Sequence, residues 1–337
     1  MSANGNGVGP LLEVEGLVVR YPVQRGVTGA AMRREKQFVH AVSGVSFSVS
    51  RGEMVALVGE SGCGKTTTAQ AVLQLIRSQE GSVRFDGIDV TALGARELRR
   101  LRRRMQIIYQ DPYESLDPRV RVESTVAEAR VVHHEGTRRD RRERVAQALE
   151  LAGRTPPELY LNRYPHELSG GQRQRVAIAA SLALGPELLV ADEPVSMLDV
   201  SVRAGILTIL DTLRDSGLAV LMITHDLSTA ARFADRICVM YLGRIVEEGP
   251  AVQVVEDPQH PYTKALLSVV PRRDPRRRVQ PQILRGETPN PIDVPPGCRF
   301  HPRCPVAIAE CRATDPELRA PVGAAEEHRA ACILAGR

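Results

Sequence analysis

Gly59-Glu-Ser-Gly-Cys-Gly-Lys65-Thr66 fits the pattern G-x-x-x-x-G-K-[ST], the phosphate-binding P-loop. The run Met54-Val-Ala-Leu-Val58 before it is typical of a fully buried strand, and residues 67–76 after it predict a helix. Strand, loop and helix in this order are the context that the motif requires. The glycines let the backbone curl so that successive N–H groups, together with the helix N-terminus, face phosphate oxygens.

Lys65 and Thr66 end the loop with two side chains that suit phosphate chemistry. The chain has three lysines, Lys36, Lys65 and Lys264, and its other basic residues are arginines. A lysine in this position indicates a compact point charge for the outer phosphates, and the threonine hydroxyl suits Mg²⁺. The predicted binding residues of the loop are Gly59, Glu60, Ser61, Gly62, Cys63, Gly64, Lys65, Thr66 and Thr67.

The composition bounds the class of protein. With 337 residues the chain is expected to hold one large domain plus a small one, or two domains. The hydrophobic content of 43% and charged content of 25% are ordinary for a globular protein with a sizeable core. The net charge of +5 is mildly basic, which fits a membrane surface, nucleic acid or neither. No apolar run approaches a membrane span, and the polar start lacks the regions of a signal peptide. We therefore expect a cytosolic chain without structural disulfides.

Strand and helix patterns alternate along most of the chain. The runs that predict buried parallel strands are residues 54–58, 106–109, 188–191, 219–223 and 237–241. Earlier, residues 12–21 and 39–49 alternate apolar and polar side chains, as half-buried antiparallel strands do, and residues 83–90 predict a hairpin. Residues 122–153 predict a charged helical stretch with a solvated face at 138–144. This order predicts an α/β fold with a mainly parallel core sheet.

Two carboxylates follow an apolar strand in Leu188-Leu-Val-Ala-Asp192-Glu193. Asp192 would hold Mg²⁺ through water, as the acidic partner of a P-loop does. Glu193 is placed to polarise an attacking water as a general base. Acidic strand ends are common, but the pairing with a P-loop favours the catalytic interpretation.

A third motif, Leu168-Ser-Gly-Gly-Gln172, precedes a helix predicted to begin at Arg173. Serine and glycine N–H groups at a helix start form a second anion site. The second site suggests a nucleotide held by another subunit, although spacing alone leaves that interpretation open.

The ordered set of these motifs resembles the nucleotide-binding subunit of an ABC transporter, over about residues 11–250. The set is the P-loop, Gln110 in Ile107-Ile-Tyr-Gln-Asp-Pro112, the Leu-Ser-Gly-Gly-Gln motif, Asp192-Glu193, Ser196-Met-Leu-Asp199 and His225. The resemblance implies an ABC-type ATPase that binds ATP and Mg²⁺. Its fold would combine the parallel core sheet with an N-terminal antiparallel β subdomain, a helical signature subdomain and a small Cys-rich C-terminal extension.

The same resemblance implies roles for individual residues. Tyr21 would stack on adenine and His225 would hold the γ-phosphate and water, although each has the alternative of an ordinary side chain at a strand end. The implied catalytic residues are Glu193, His225 and Gln110, and the implied Mg²⁺ ligands are Thr66, Gln110 and Asp192. The residues that would act on the partner subunit's ATP, or line the dimer interface, are Ser169, Gly170, Gly171, Gln172 and Asp199.

Further segments resemble peptide importers of the oligopeptide/dipeptide type. They are Asp111–Pro118, Tyr164–Leu168 and His260–Pro271, while the Arg-rich insertion before Val39 and Tyr113 are closer to the second ATPase subunit of such importers. The resemblance implies a heterodimer with a second ATPase, two transmembrane permease subunits and an extracytoplasmic substrate-binding protein, with no specific nucleic acid. The chain would lie peripherally on the cytoplasmic face of the cell membrane.

The expected domain organisation follows from these matches. Residues 1–10 are expected to be disordered, and residues 11–257 to form the nucleotide-binding domain, with a helical subdomain at about 112–180. Residues 258–337 would form the extension, in which the Pro- and Arg-rich stretch 271–297 is typical of an extended linker.

Three positions depart from the family's usual pattern. Cys63 is one of several residues accepted in the loop, and Met197 stands where alanine is usual. Ala180-Ser181 replaces the usual Arg-Ala after the signature helix. Loss of this charge near the nucleotide is expected to weaken one of two ATP sites, while the chain's own site still hydrolyses ATP.

Four cysteines cluster in the tail, at Cys298, Cys304, Cys311 and Cys332. In a cytosolic chain such clustering indicates metal ligation before disulfides. No C-x-x-C is present among them, so an ordinary zinc ribbon fits poorly. The resemblance implies a 4Fe–4S cluster, with zinc or unliganded thiols as alternatives, and Cys63 and Cys238 are not expected to be ligands.

Two other functions are compatible with parts of the sequence. A soluble ABC ATPase acting on DNA or ribosomes would use the basic runs 99–104 and 272–278 on phosphates. Such proteins usually carry two ATPase halves or a long coiled-coil insertion, and this chain has neither. The tail as a redox or iron sensor that gates transport is compatible with the importer interpretation.

Overall fold

The computed structural model describes residues 9–23, 37–111, 115–270, 281–284, 286–321 and 325–336. Several sequence predictions lie outside these residues. They are the disordered start before residue 9, the Arg/Gly-rich loop 24–36, Tyr113, and the first part of the linker at 271–280.

Eleven strands and ten α-helices are assigned within the described ranges. The strands are β1 (Leu12–Pro22), β2 (Phe38–Val49), β3 (Met54–Val58), β4 (Glu80–Phe85), β5 (Ile88–Asp89), β6 (Met105–Ile108), β7 (Leu188–Asp192), β8 (Ala219–Thr224), β9 (Arg236–Tyr241), β10 (Arg244–Pro250) and β11 (Arg329–Ala330). The helices are α1 (Lys65–Val72), α2 (Ala95–Leu101), α3 (Val122–Val132), α4 (Arg138–Leu151), α5 (Glu158–Leu161), α6 (Gly170–Leu182), α7 (Val200–Asp215), α8 (Leu227–Phe233), α9 (Ala251–Glu256) and α10 (Pro261–Ser268). Short 3₁₀ turns lie at Pro165–Glu167 and Ala309–Arg312.

The chain divides into two compact units, and the first contains residues 93–223 with two short earlier segments. Its strands β6, β7 and β8 pair in parallel, with Met105 opposite Leu188 and Leu188 opposite Ala219. Every residue of β7 and β8 is buried, as expected for a parallel strand covered on both faces. Helices α3, α4 and α6 pack against one another in the same unit. Their packing gives the helical part that carries the Leu-Ser-Gly-Gly-Gln motif.

The second unit contains residues 12–48, 55–92 and 224–337. Its antiparallel sheet has the strand order β2-β1-β4-β5, which confirms the prediction of an antiparallel N-terminal part and of the hairpin β4–β5. Strand β3 pairs in parallel with β9, and β9, β10 and β11 then pair antiparallel. The Cys-rich tail thus adds its own short strand, β11, beside β10 at the edge of this sheet.

The helix after the P-loop differs from the predicted span of 67–76. It begins at Lys65, inside the motif, and ends at Val72. Gln74 has a left-handed backbone (φ 53°), and the Leu75 N–H donates to the Gln70 carbonyl at 2.8 Å. This hydrogen bond satisfies a carbonyl at the helix end, and the left-handed residue turns the chain out of the helix. The helix therefore ends before the apolar pattern does.

The predicted helical stretch 122–153 is two helices, α3 and α4, separated by a turn. His134 and Gly136 have positive φ values there, and Thr137 then caps α4. Thr137 and Asp140 form a reciprocal capping box, with the Thr137 N–H donating to the Asp140 carboxylate at 2.9 Å. The charge-rich composition concealed this start signal. Within α4 the face at 138–144 is largely exposed, as predicted.

No helix in the described part of the chain is both long and apolar enough to cross a membrane.

Candidate functional site

The P-loop lies between β3 and α1 in the second unit, and its backbone requires glycine at two positions. A Cβ on Gly59 would lie 2.2 Å from the Met240 carbonyl oxygen. A Cβ on Gly64 would lie 2.2 Å from the Ala41 carbonyl oxygen, and Gly64 has a φ of 108°. The two glycines therefore let strands β2 and β9 approach the loop closely from outside.

Lys65 is held inside this loop and is only 5% exposed. Its ammonium donates to the carbonyl oxygens of Gly59 at 2.7 Å and Glu60 at 3.0 Å. Thr68 Oγ1 donates to the Gly64 carbonyl at 2.9 Å, which fixes the first turn of α1 to the loop. A buried ammonium and a helix N-terminus at one place make this a strongly anion-attracting site.

Glu60 has partners that the sequence analysis missed. Its carboxylate accepts hydrogen bonds from Arg303 at 2.9 and 3.3 Å and from Thr288 Oγ1 at 2.7 Å. Its backbone N–H donates to the Tyr262 hydroxyl at 3.0 Å. Burial opposes ionisation, but the hydrogen bonds from Arg303 and Thr288 and the charges of Arg303 and Lys65 hold the pKa of Glu60 below its ordinary value. The sequence feature that could have indicated these contacts is the acidic side chain of Glu60 inside a phosphate-binding loop.

Two more predicted site residues belong to the second unit. Tyr21 lies near the end of β1 with 38% of its surface exposed, so its ring is accessible for stacking. His225 follows β8 directly and is exposed. The next residue, Asp226, caps α8 by accepting from the Ser228 N–H at 2.9 Å. This cap fixes the turn that presents His225.

Gln110 and Glu193 meet in the first unit, where β6 and β7 end side by side. Gln110 Nε2 donates to Glu193 Oε2 at 3.2 Å. Glu193 has a left-handed backbone (φ 45°), and its N–H donates to the Ile223 carbonyl at 2.9 Å. Its carbonyl accepts from Ser196 Oγ at 3.1 Å. A non-glycine residue held in this sparsely populated conformation by bonds on both sides is typical of a functional site.

The Leu-Ser-Gly-Gly-Gln motif forms the start of α6 itself. The helix begins at Gly170 rather than at Arg173, with Ser169 as its N-cap. The Ser169 N–H donates to Gln172 Oε1 at 3.0 Å, and Ser169 Oγ accepts from the Gln172 N–H at 3.4 Å. A Cβ on Gly171 would lie 2.4 Å from Val202 Cγ1 of α7. Gly171 is therefore also a packing residue, which the sequence analysis did not detect.

The turn before α7 carries Asp199 as the N-cap residue, with no hydrogen bond from its side chain to the cap. Arg203 holds this turn by donating to the Leu198 carbonyl at 2.7 Å. Met197 is 58% exposed, so the larger side chain points away from the core.

The placement of Ala180-Ser181 after the signature helix was wrong, because both residues lie within α6. Ser181 is buried, and its hydroxyl donates to the Ile107 carbonyl of β6 at 3.0 Å. It therefore helps to hold the strand that leads to Gln110. The expected weakening of one ATP site remains a prediction.

The four tail cysteines are free thiols in one part of the second unit. The Cys298 N–H donates to the Cys311 carbonyl at 2.9 Å. Burial, followed by the charges of the other three sulfurs, raises the pKa of Cys298 to about 11. Burial and neighbouring thiolates also raise the pKa of Cys304 and of Cys332. Within the described ranges, however, no three His, Cys, Asp or Glu residues form a group that could hold a metal ion.

Two family models match the chain. The model described as ABC transporter matches residues 42–196, and the model described as oligopeptide/dipeptide transporter, C-terminal region, matches residues 246–311. The first spans the P-loop and the Asp192-Glu193 pair, and the second spans most of β10 and the first three tail cysteines.

Curated relatives match over most of the chain. A Brucella ovis protein named as a peptide import ATP-binding protein is 47% identical over 92% of this chain and 94% of its own length. The dipeptide transport ATP-binding protein DppF of Haemophilus influenzae is 44% identical over 92% of this chain and 93% of its own. The glutathione import ATP-binding protein GsiA of Pectobacterium atrosepticum is 48% identical over 84% of this chain, which spans 45% of that longer protein.

Solved structures agree with the sequence relatives. The ATP-binding cassette MJ0796, in a dimeric post-hydrolysis state bound to ADP and Pi, matches with a TM-score of 0.61 and 28% identity over 71% of this chain and 98% of its own. CbiO1 of Clostridium perfringens matches with a TM-score of 0.62 and 28% identity over 74% of this chain and 91% of its own. The fold is thus an α/β ABC-type ATPase, as predicted, and the chain belongs to the ATP-hydrolysing subunits of ABC transporters in the oligopeptide/dipeptide transporter family.

Proposed function

We propose that the chain powers the import of peptides or related small solutes by hydrolysing ATP at its P-loop. The observation that carries the site assignment is the hydrogen bond between Gln110 and Glu193, which joins a candidate magnesium sensor to a candidate base. Relatives named for import of peptides, dipeptides and glutathione support the substrate class.

The site residues divide into three groups by role. Lys65 and the loop N–H groups bind the phosphates, and Tyr21 stacks on the adenine. The oxygen atoms of Thr66, Gln110 and Asp192 are of the kind that Mg²⁺ prefers, and these residues would hold the ion, which when bound would supply positive charge to the transferring phosphoryl group. The residues assigned to the γ-phosphate and water are Glu193 as the general base, His225 and Gln110 in the same subunit, and Ser169 to Gln172 with Asp199 from the partner.

The assembly proposed is a heterodimer with a second ATPase chain, bound to two permease subunits at the cytoplasmic face of the membrane. An extracytoplasmic protein delivers the solute. The domain boundaries proposed are residues 11–257 for the ATPase, with the helical part at about 112–180, and 258–337 for the extension. The importer assignment is supported by the 44% identity to a relative named as a dipeptide transport ATP-binding protein.

Changing Glu193 to glutamine tests the general-base role. Glu193→Gln keeps the size and the hydrogen bond to Gln110 but removes the proton acceptor, so the hydrolysis rate is expected to fall at least about 100-fold. ATP affinity should be retained, because the phosphates are bound by the loop. Single-turnover hydrolysis and nucleotide binding would be measured on the assembled transporter. Glu150→Gln, an exposed change on α4, is the matched control. Normal hydrolysis by Glu193→Gln would refute the assignment.

A narrower proposal concerns the tail, where we infer that the four thiols hold a 4Fe–4S cluster, with zinc as the alternative. The supporting observation is that the four thiols lie near one another: the Cys298 N–H donates to the Cys311 carbonyl at 2.9 Å, and, besides burial, the charges of Cys304, Cys311 and Cys332 all contribute to raising the pKa of Cys298. When bound, the cluster would stabilise the fold of a segment that has few apolar side chains.

The metal content of anaerobically purified protein tests this proposal. Iron and acid-labile sulfide with broad visible absorption would support the cluster. Zinc alone would favour the alternative, and a metal-free chain would refute both. A variant with all four cysteines changed to serine should lose the metal and unfold at a lower temperature.

A further inference from the structure

The second residue of the P-loop carries a negative charge where phosphate anions bind. Glu60 follows Gly59 directly, and the backbone carbonyls of these two residues accept hydrogen bonds from the Lys65 ammonium. A free carboxylate here would repel the nucleotide, and at a few ångströms in a partly buried loop the repulsion would be substantial. The loop therefore functions well only if the charge of Glu60 is neutralised.

Arg303 of the tail provides this neutralisation. Its guanidinium binds both carboxylate oxygens of Glu60, at 2.9 and 3.3 Å, and its side chain is only 9% exposed. Thr288 completes the arrangement by donating to Glu60 at 2.7 Å and accepting from Arg303 at 3.2 Å. The pair joins residues 243 positions apart in the sequence. A bidentate contact of this kind fixes the orientation of the carboxylate and neutralises its charge.

The backbone of Glu60 is held by the extension too. Its N–H donates to the hydroxyl of Tyr262, which is fully buried in α10. The rings of Tyr262, Tyr241 and Phe300 pack together, with ring centroids 4.8 to 5.4 Å apart. The Arg303 guanidinium lies 5.9 Å from the Tyr241 ring centroid. The aromatic cluster thus sets the positions of both groups that bind Glu60.

A second, indirect contact runs through the turn between β9 and β10. Arg299 of the tail donates to the Leu242 carbonyl at 2.6 Å. The next residue, Gly243, donates its N–H to the Cys63 carbonyl at 2.8 Å. The loop is therefore bound by the extension on both sides of its glycine-rich centre.

We propose that Arg303 is a positioning residue for ATP binding, through which the Cys-rich extension neutralises and orients Glu60 and thereby sets the affinity of the P-loop. The proposal rests on the ATP-binding function of this loop and deepens it. Residues of the extension then belong to the nucleotide-binding site.

Four proteins that differ only in charge test the proposal: the wild type, Arg303→Gln, Glu60→Gln and the double variant. ATP dissociation constants and steady-state kinetics would be measured on the assembled transporter. Arg303→Gln leaves a lone carboxylate, so its ATP Kd should rise about tenfold, with kcat at saturating ATP largely retained. Glu60→Gln leaves a lone guanidinium, so its Kd should fall. The double variant restores neutrality and should return near the wild-type value.

The controls separate this role from a structural one and from failure of the underlying function. Arg319→Gln removes an exposed tail arginine paired with Glu317 and should change nothing. Weaker ATP binding in both single variants, without recovery in the double variant, would overturn the proposal. An unchanged Kd in Arg303→Gln would also overturn it. If Arg303→Gln does not fold, Glu60→Gln is measured alone. An ATP Kd higher than that of the wild type in Glu60→Gln would then overturn the proposal. Failure of the wild type itself to bind ATP would instead refute the proposed function.

Discussion

His260 is a fully buried histidine at the point where the ATPase core passes into the extension. Its backbone N–H donates to the buried Glu247 carboxylate at 2.9 Å, and its Nδ1 accepts from the Tyr262 N–H at 3.1 Å. Glu247 also accepts from the Gln259 N–H at 2.7 Å and lies 2.8 Å from His328 Nε2. These two residues connect β10, α10 and the tail in one hydrogen-bonded group, so the cap of α10 depends on a neutral His260.

Acid is predicted to weaken this group through His260. Burial lowers its pKa to about 4, against the opposing effect of Glu247 and with a smaller contribution from Lys264. As the pH falls from about 6.5 towards 4, the unfolded chain takes up a proton that the folded chain does not, so stability is lost in that window and is fully present above it. The loss would reach about 3 kcal/mol.

His260→Asn tests this origin of the acid sensitivity. Asparagine can still cap α10 through its side-chain oxygen but does not titrate. Thermal unfolding from pH 7 to 4 should show a shallower loss of stability in the variant than in the wild type. Parallel curves for the two proteins would assign the acid sensitivity to other groups.

Helix α6 is the element whose start matters most, because its first turn is the signature motif. The capping pair Ser169 and Gln172 fixes that turn, and the close approach of Gly171 to Val202 fixes it against α7. Since Asp199 is the N-cap residue of α7, the two segments assigned to the partner-facing surface share one contact. The packing of α6 against α7 therefore requires glycine at this position.

Adding one methyl group at this contact is predicted to disturb both helices. Gly171→Ala would place a Cβ 2.4 Å from Val202 Cγ1, and overpacking of this kind costs about 1–3 kcal/mol. Transporter ATPase activity should fall with it. Val202→Ala removes the colliding methyl groups, so the double variant should regain much of the stability, while Val202→Ala alone gives the reference. Equal unfolding temperatures for Gly171→Ala and the wild type would contradict this prediction, because α6 and α7 would then accommodate the methyl group without loss of stability.

At the scale of elements, the sequence located most boundaries because each signal was local. The five predicted parallel strands correspond to β3, β6, β7, β8 and β9. Each predicted range agrees with the observed strand to within one residue at each end. The break between α3 and α4 was missed although Gly136, Thr137 and Asp140 encode it, because the surrounding arginines suggested one solvated helix. The early end of α1 depends on a left-handed Gln74, which no composition rule favours.

The whole molecule shows what the sequence could not reveal. Each motif residue was predicted from its neighbours, but the contact of Glu60 with Arg303 joins distant parts of the chain, and no local pattern encodes it. The same holds for Glu247, whose partners lie in α10 and the tail. Spatial relations of this kind are set by packing, so motif analysis identified the ATPase and left the role of the extension open.

The most direct test of the account is ATP-driven uptake by the complete transporter in sealed vesicles. The chain would be reconstituted with the proposed second ATPase, permeases and binding protein, and accumulation of labelled di- and oligopeptides would be followed alongside phosphate release. The account predicts uptake that requires ATP and stops in the Glu193→Gln variant, while that variant still binds ATP. ATP hydrolysis without uptake of any peptide or related solute, or uptake that persists in Glu193→Gln, would contradict it.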